Sequence, residues 1–481
     1  MKKHLIKFAK EFSKEIIENN AAIFAGAGLS VPVGYVNWIE LLRPLAEELD
    51  IDINRENDLV SLAQYYKNEK NSRYELNRRI INEFSEDKEG TENHRILARL
   101  PIGTYWTTNY DSLIEDTLKR SGKIVDKKYT IEHLAETKPK RDAVVYKMHG
   151  DKEHPTKAIL LKEDYEVYST KYEPFITALK GDLISKTFLF IGFSFTDPNL
   201  DYILSRVRIS HNENQRTHYA FIKAVKANDY ENKADFEYYS RKQTLFLNDL
   251  KRYNIQALII EEYSEITEVL KMIEKTINFN NIFISGSAYS YKPFDDNDAK
   301  LFIENLSKKL IASGNKIVSG FGLGVGSYVI TGALEEIYMK QKRINDNQLI
   351  LKPFPQDTSK NDDFKQEVWK LYREDMISQT GIAIFIFGNK LKDSNLVEAD
   401  GVYSEFEIAK KNNNIIVPVG ITGSVAEKIW CEVNENFDVF YPNATSNLKY
   451  LFENLNSTKE YEVLIDDIIN FINEAKKNYE I

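Results

Sequence analysis

Apolar residues in this chain fall into two rhythms, short continuous runs and longer stretches spaced three and four residues apart, and the two alternate. The first run, Ala21 to Ala25, leads into Gly26-Ala27-Gly28-Leu29-Ser30, which predicts a buried strand feeding a glycine turn. Similar runs at Gly103 to Thr107, Ala143 to Met148, Thr187 to Gly192, Tyr219 to Ile222 and Ile255 to Ile260 read as further strands separated by helices. From Trp38 to about Phe84 the spacing is helical, with Ile39, Leu41, Leu42, Leu45 and Leu49 on one face and then Leu59, Leu62 and Tyr65. This stretch reads as a helical insertion between the first two strands. Near Thr276 to Asn281 the rhythm restarts. Asn281 to Ser287 predicts a strand and turn, Asp296 to Ala312 a helix, and Lys316 to Gly320 a strand entering the glycine-rich Gly320 to Ser327. Ile382 to Phe387 and Ile415 to Val419 predict two more buried strands. The alternation predicts an α/β protein of two Rossmann-like parallel-sheet domains, 1–278 and 279–481, the first carrying the helical insertion.

Composition narrows the class. With 42% hydrophobic and 28% charged residues the chain is globular, and its 481 residues exceed one ordinary core. Against 73 Asp and Glu stand 64 Lys and Arg, a net charge of -9 without a long block of either sign, so no nucleic-acid partner is expected. One cysteine, Cys431, excludes an internal disulfide and any zinc site built from cysteine pairs, and no metal is expected. The apolar runs fall far short of the roughly 20 residues of a membrane span. Residues Met1 to Asn20 lack the apolar core of a secretory signal, so a cytoplasmic protein is expected.

Candidate chemistry gathers behind the strands. Gly26-Ala27-Gly28 follows the first, Thr107-Thr108-Asn109-Tyr110-Asp111 the second, Lys147-Met148-His149-Gly150-Asp151 another and Gly192-Phe193-Ser194 the next. Ligands bind at the carboxyl edge of an open α/β sheet, so Gly28, Asn109, His149 and Ser194 are expected to converge there. Plainer readings stay open: Asn and Asp cap helices, a histidine satisfies a loop, and Ser194 caps the segment before Asp197-Pro198-Asn199. In the second half, Ile284-Ser285-Gly286-Ser287 and the turn holding Gly322 and Gly324 present amide-rich loops. Lys352-Pro353-Phe354-Pro355, Arg373, Lys390 and Gly401-Val402-Tyr403-Ser404-Glu405 add cations for phosphate and a carboxylate for ribose. Close helix packing is the plainer use of those glycines.

The first-half motifs resemble the sirtuin family, whose NAD site is made by a Gly-Ala-Gly-x-Ser loop, a Thr-Gln-Asn-x-Asp segment and a His-Gly pair. The matches are Gly26, Ala27, Gly28 and Ser30, then Thr107, Asn109 and Asp111, then His149 and Gly150. The resemblance implies that Asn109 positions a water or ribose at the anomeric carbon, that Asp111 holds the nicotinamide amide, and that His149 is the general base. It places Ala25, Gly26, Ala27, Gly28, Ser30, Asp111, Gly192 and Ser194 around NAD, which is substrate rather than prosthetic group. The zinc cysteines and the Pro-Asp-Phe-Arg stretch of sirtuin deacetylases are missing, Tyr35-Val36-Asn37-Trp38 follows Gly34, and Thr108 replaces the family's Gln. Hydrolysis of NAD is therefore expected over protein deacylation or ADP-ribosyl transfer, with a non-catalytic nucleotide-binding scaffold as the remaining alternative.

The second half resembles the SLOG family of nucleotide-sensing domains, and sirtuin-like followed by SLOG is similar to the effectors of the Thoeris anti-phage defence system. That resemblance implies a cyclic ADP-ribose isomer as activator, made by a TIR-domain partner enzyme, and a homotetramer or higher assembly. It implies signal contacts at Gly286, Ser287, Gly322, Gly324, Arg373, Lys390, Gly401 and Glu405.

Overall fold

A computed structural model describes residues 2–56, 58–211, 215–340, 348–353 and 362–479. The chain divides into two compact units, Met1–Glu274 and Lys275–Ile481. Phe354 and Pro355 lie outside the described residues.

The first unit is built on seven strands: β1 (Ala21–Ala25), β2 (Thr104–Thr107), β3 (Val125–Lys128), β4 (Ala143–Lys147), β5 (Thr187–Ile191), β6 (His218–Lys223) and β7 (Ile255–Ile260). They lie in the order β3-β4-β2-β1-β5-β6-β7, each neighbouring pair parallel. The central strands β1 and β5 are buried throughout because both faces are covered. Ala22 and Phe24 pack with Phe175, Ile176, Leu179 and Leu183 of helix Glu173–Ser185. Ile23 and Tyr105 point the other way, toward Leu97 and Ala98 of helix Glu92–Arg99 and Leu118 of helix Leu113–Arg120.

Strand β3 is not among the apolar runs of the sequence, because it carries Asp126, Lys127 and Lys128. Lys128 pairs with Asp126 at 2.9 Å and Lys127 lies over the Tyr129 ring, so the charges are satisfied on an edge strand. The helical insertion is three helices, Trp38–Glu47, Leu59–Lys70 and Tyr74–Phe84. Its inward face is corrected in two places: Ile39 and Tyr65 are exposed, and it is Tyr66 that is buried, donating its hydroxyl to Glu48 at 2.8 Å.

The second unit carries β8 (Asn281–Ser287), β9 (Lys316–Ser319), β10 (Leu349–Leu351), β11 (Ile382–Phe387), β12 (Asn389–Lys392), β13 (Asn395–Glu398) and β14 (Ile415–Pro418). Five form a parallel sheet in the order β10-β9-β8-β11-β14. Strands β12 and β13 make a separate antiparallel hairpin behind β11. The hairpin and β10 escape a reading by apolar runs, since β10 is a three-residue edge and the hairpin is mostly polar and exposed. The α/β architecture of two parallel sheets holds. Among the described residues no helix is long and apolar enough to cross a membrane.

Candidate functional site

Strand register decides which loops meet. Ala25 pairs with both Thr107 and Ile191, and Thr107 with Lys147. Strands β4, β2, β1 and β5 therefore end level, and the loops bearing His149, Asn109, Gly26 to Ser30 and Gly192 to Ser194 are neighbours in that order along one carboxyl edge.

Asn109 is buried and held from three sides. Its backbone N–H donates to Thr107 Oγ1 at 3.0 Å, and its side-chain Nδ2 donates to the Gly26 carbonyl and to Ser30 Oγ, each at 3.1 Å. Both amide hydrogens are thus engaged, which fixes the amide orientation. Among the described residues nothing donates to Oδ1. Asp111, also buried, accepts the Leu113 N–H at 3.0 Å through Oδ1 and so starts the following helix.

The glycines at this edge pack loop on loop. Gly26 N–H donates to the Ile191 carbonyl and Gly28 N–H to the Gly192 carbonyl, both at 2.9 Å. A Cβ on Gly26 would stand 2.4 Å from the Gly192 oxygen, and one on Gly192, where φ is +64°, would stand 2.3 Å from the Leu29 nitrogen. The amides of Gly26 and Gly28 therefore join the β1 loop to β5 and its loop. Ser194, farther out on the β5 loop, is exposed, with its hydroxyl 2.8 Å from Thr196 Oγ1.

His149 is 2% exposed, and its carbonyl accepts the Ile159 N–H at 2.9 Å. Its Nε2 lies 3.1 Å from Asp197 Oδ2, within ion-pair distance but off the line of a good hydrogen bond. Tyr165 meets the imidazole edge to face at 5.6 Å and donates its hydroxyl to Asp197 at 3.3 Å. Burial works to raise the Asp197 carboxyl, but His149, the Leu200 amide and Tyr165 outweigh it and hold it below the ordinary carboxylate range. Asp197 escapes a sequence reading because Asp-Pro before a helix already has a sufficient explanation as a cap.

Lys147, the last residue of β4, is fully buried beneath this edge. Its ammonium meets Asp151 at 2.7 Å, Glu115 at 3.1 Å and the Tyr110 carbonyl at 3.1 Å, and it also donates to the Asp111 carbonyl. Burial alone would lower its pKa, but Glu115 and Asp151 outweigh burial and hold it above the ordinary lysine value. One cation thus ties the backbone on either side of the Asn109 and Asp111 loop to the His149 loop. A lysine ending an apolar strand was the available signal for it.

The helical insertion covers the same loops. Its Leu41, Leu42, Leu62, Tyr66, Ile80 and Phe84 share a core with Tyr110, Leu113, Ala158, Leu160 and Leu161. Arg73 grips both Asp164 oxygens, at 2.9 and 3.0 Å, and Lys67 pairs with Glu163. The insertion so fixes the segment that follows His149.

In the second unit, Ser287 ends β8 opposite Phe387 of β11, and its hydroxyl donates to the Asn389 carbonyl at 3.0 Å. Gly322 and Gly324 pack the β9 loop on the β8 loop, since a Cβ on either would stand 1.9 Å from the carbonyl of Gly286 or Ala288. Glu405 is buried on helix Asp400–Lys411, where it accepts Ser285 Oγ at 2.6 Å and faces Arg373 Nε at 3.4 Å. Burial raises its pKa against the opposing pull of Ser285 and Arg373. Gly401 leaves room for the Arg373 guanidinium, which a Cβ there would approach to 2.9 Å. Lys390 pairs with Asp400 at 2.8 Å and Lys352 with Asp375. No group of three His, Cys, Asp or Glu side chains placed to hold a metal occurs among the described residues.

Residues 103–255 match the SIR2-like domain family, and residues 265–475 match the family described as Sir2- and TIR-associating SLOG. Over 467 residues, 97% of each chain, the sequence is 56% identical to a Bacillus cereus (strain MSX-D12) protein named NAD(+) hydrolase ThsA. The chain belongs to the ThsA family. Relatives of the same name from Acinetobacter baumannii (strain 532279) and Cytobacillus dafuensis are 48% and 47% identical, over 95% and 96% of this chain and 97% and 95% of theirs.

Proposed function

We propose that the chain is an NAD+ hydrolase releasing nicotinamide and ADP-ribose at the β4-β2-β1-β5 edge, with Asn109 and His149 as its catalytic pair. The observation that supports this most is the Asn109 amide, locked through both hydrogens with Oδ1 presented, on the strand beside the one that bears His149. Nicotinamide leaves a pyridinium as a neutral base, so the reaction needs a fixed nucleophile and a shielded cationic centre, and no acid. The C1′–N bond breaks with its electron pair passing to the ring nitrogen. The water oxygen bonds C1′, and the water proton passes to His149 and on to solvent. Asn109 Oδ1 accepts a hydrogen of that water and sets its attack line. Asp111 receives the nicotinamide amide, and Ala25, Gly26, Ala27, Gly28, Ser30, Gly192 and Ser194 surround the dinucleotide.

The second unit acts in this reading as a sensor. A cyclic ADP-ribose isomer, made by a TIR-domain enzyme during phage infection, binds at Gly286, Ser287, Gly322, Gly324, Arg373, Lys390, Gly401 and Glu405. It shifts a homotetramer toward its active state, and cytoplasmic NAD+ is depleted. Only a ligand with different affinity for two states can do this, and a permanently open hydrolase would harm its host. A family description that links SLOG domains to TIR proteins supports the signal class. The pairing of half-buried Arg373 with buried Glu405 supports the place.

Chromatography of NAD+ incubated with purified chain, with and without cyclic ADP-ribose isomers, tests both parts. Asn109→Ala is expected to lose turnover by about a thousandfold, and Arg373→Ala to lose only the response to the isomer. Unchanged behaviour in both variants refutes the assignment of roles.

A further inference from the structure

Asp197 reaches the proposed base from the far side of the edge. It sits on the β5 loop, yet its Oδ2 stands 3.1 Å from His149 Nε2 on the β4 loop. Asp197 is itself anchored twice more: Oδ1 accepts the Leu200 N–H at 2.9 Å, and Oδ2 accepts the Tyr165 hydroxyl at 3.3 Å. Tyr165 closes the cluster by packing its ring edge on the imidazole. A carboxylate so fixed is no passing surface contact.

We infer that Asp197 is the positioning residue for His149, holding the imidazole in the tautomer with hydrogen on Nε2 and leaving Nδ1 as the nitrogen that takes the proton from water. An ionised carboxylate only accepts, so the ring nitrogen facing it carries the hydrogen. The other nitrogen then carries the lone pair. Asp197 also stabilises the imidazolium that forms when the water proton arrives, a charge that develops only as the reaction proceeds. This rests on the hydrolase reading for its chemistry, and the tautomer on the 3.1 Å approach of the Asp197 carboxylate to Nε2.

The rival is that Asp197 merely caps helix Pro198–His211 through its bond to Leu200. Asn and Ser cap helices about as well as Asp, so Asp197→Asn and Asp197→Ser keep the cap and remove the charge. Both are expected to melt as wild type does, to lose kcat by about a hundredfold or more, and to keep KM within about threefold. Wild-type kcat in either variant overturns the inference. So does a loss of kcat accompanied by a rise in KM beyond about threefold and a lowered melting temperature. A long-range proton–nitrogen correlation on ¹⁵N-histidine protein gives a reading without turnover. The His149 ring, identified by its disappearance in His149→Ala, is expected to be protonated at Nε2 in wild type and to lose that preference in Asp197→Asn. A wild-type ring protonated at Nδ1 refutes the inference. Full turnover in His149→Ala would instead sink the hydrolase reading of the site.

Discussion

The two sheet edges are built from the same parts and hold their polar groups in opposite ways. At the first edge the two groups that matter are neutral or weakly basic, buried, and fixed by partners that leave one atom of each unspent: Asn109 by Gly26 and Ser30, His149 by Asp197 and Tyr165. At the second edge the cations proposed for phosphate are each already paired with a carboxylate, Arg373 with Glu405, Lys390 with Asp400, Lys352 with Asp375. A fixed, half-satisfied polar group suits chemistry, because it reorganises little as charge develops. A cation held by an internal carboxylate suits reversible recognition, because an incoming phosphate exchanges one anion for another and alters the packing behind it.

The largest expected difference between the edges lies in what supports them. Lys147→Met strips the fully buried cation from this cluster, leaving Glu115 and two carbonyls without it and Asp151 with Lys127 alone, at 3.3 Å. We expect it to destabilise the first unit by about 3–5 kcal/mol, read by chemical denaturation. Lys390→Met, at a partly exposed pair, should cost under about 1 kcal/mol. Equal costs would remove the contrast.

Acid should separate the units next. Burial pushes His94 and His218 in the first unit down to about 4 from 6.5. The fold favours their neutral forms, so their contribution is complete above about pH 6.5 and is lost as pH falls through about 4, up to about 3 kcal/mol each. Glu405 in the second unit has the opposite sign: burial lifts it above 4.5, so its contribution is complete below that value and is lost as pH rises through the raised one. Hydrogen exchange corrected for intrinsic rate, at pH 7 and pH 5, should show β1 to β5 weakening on acidification. The smallest effect is that of Glu405→Gln, which should flatten the pH dependence of β8 and β11; an unchanged slope would count against a buried titrating carboxyl there.

Much of this was legible in the sequence, for physical reasons. Buried parallel strands are written as continuous apolar runs, so β1, β2, β4 and β5 could be read directly, as could the loops behind them. Strand β3 and the β12–β13 hairpin were not, because they carry charged and polar residues in place of a continuous apolar run. The side chains at the first edge could be named from motif spacing, but not their partners. Asp197 lies 48 positions from His149 along the chain and meets it only through strand order, and Lys147 looks like a surface cation until its three elements close over it. Gly26 and Gly28 show the converse: a phosphate-loop pattern whose amides are spent on β5.

The most direct test is a structure with a non-hydrolysable carba-analogue of NAD+ bound. The account predicts its anomeric position at the first edge, within about 3.5 Å of a water held by Asn109 Oδ1 and His149. An analogue seated away from that pair, or bound only at the second sheet, would contradict it.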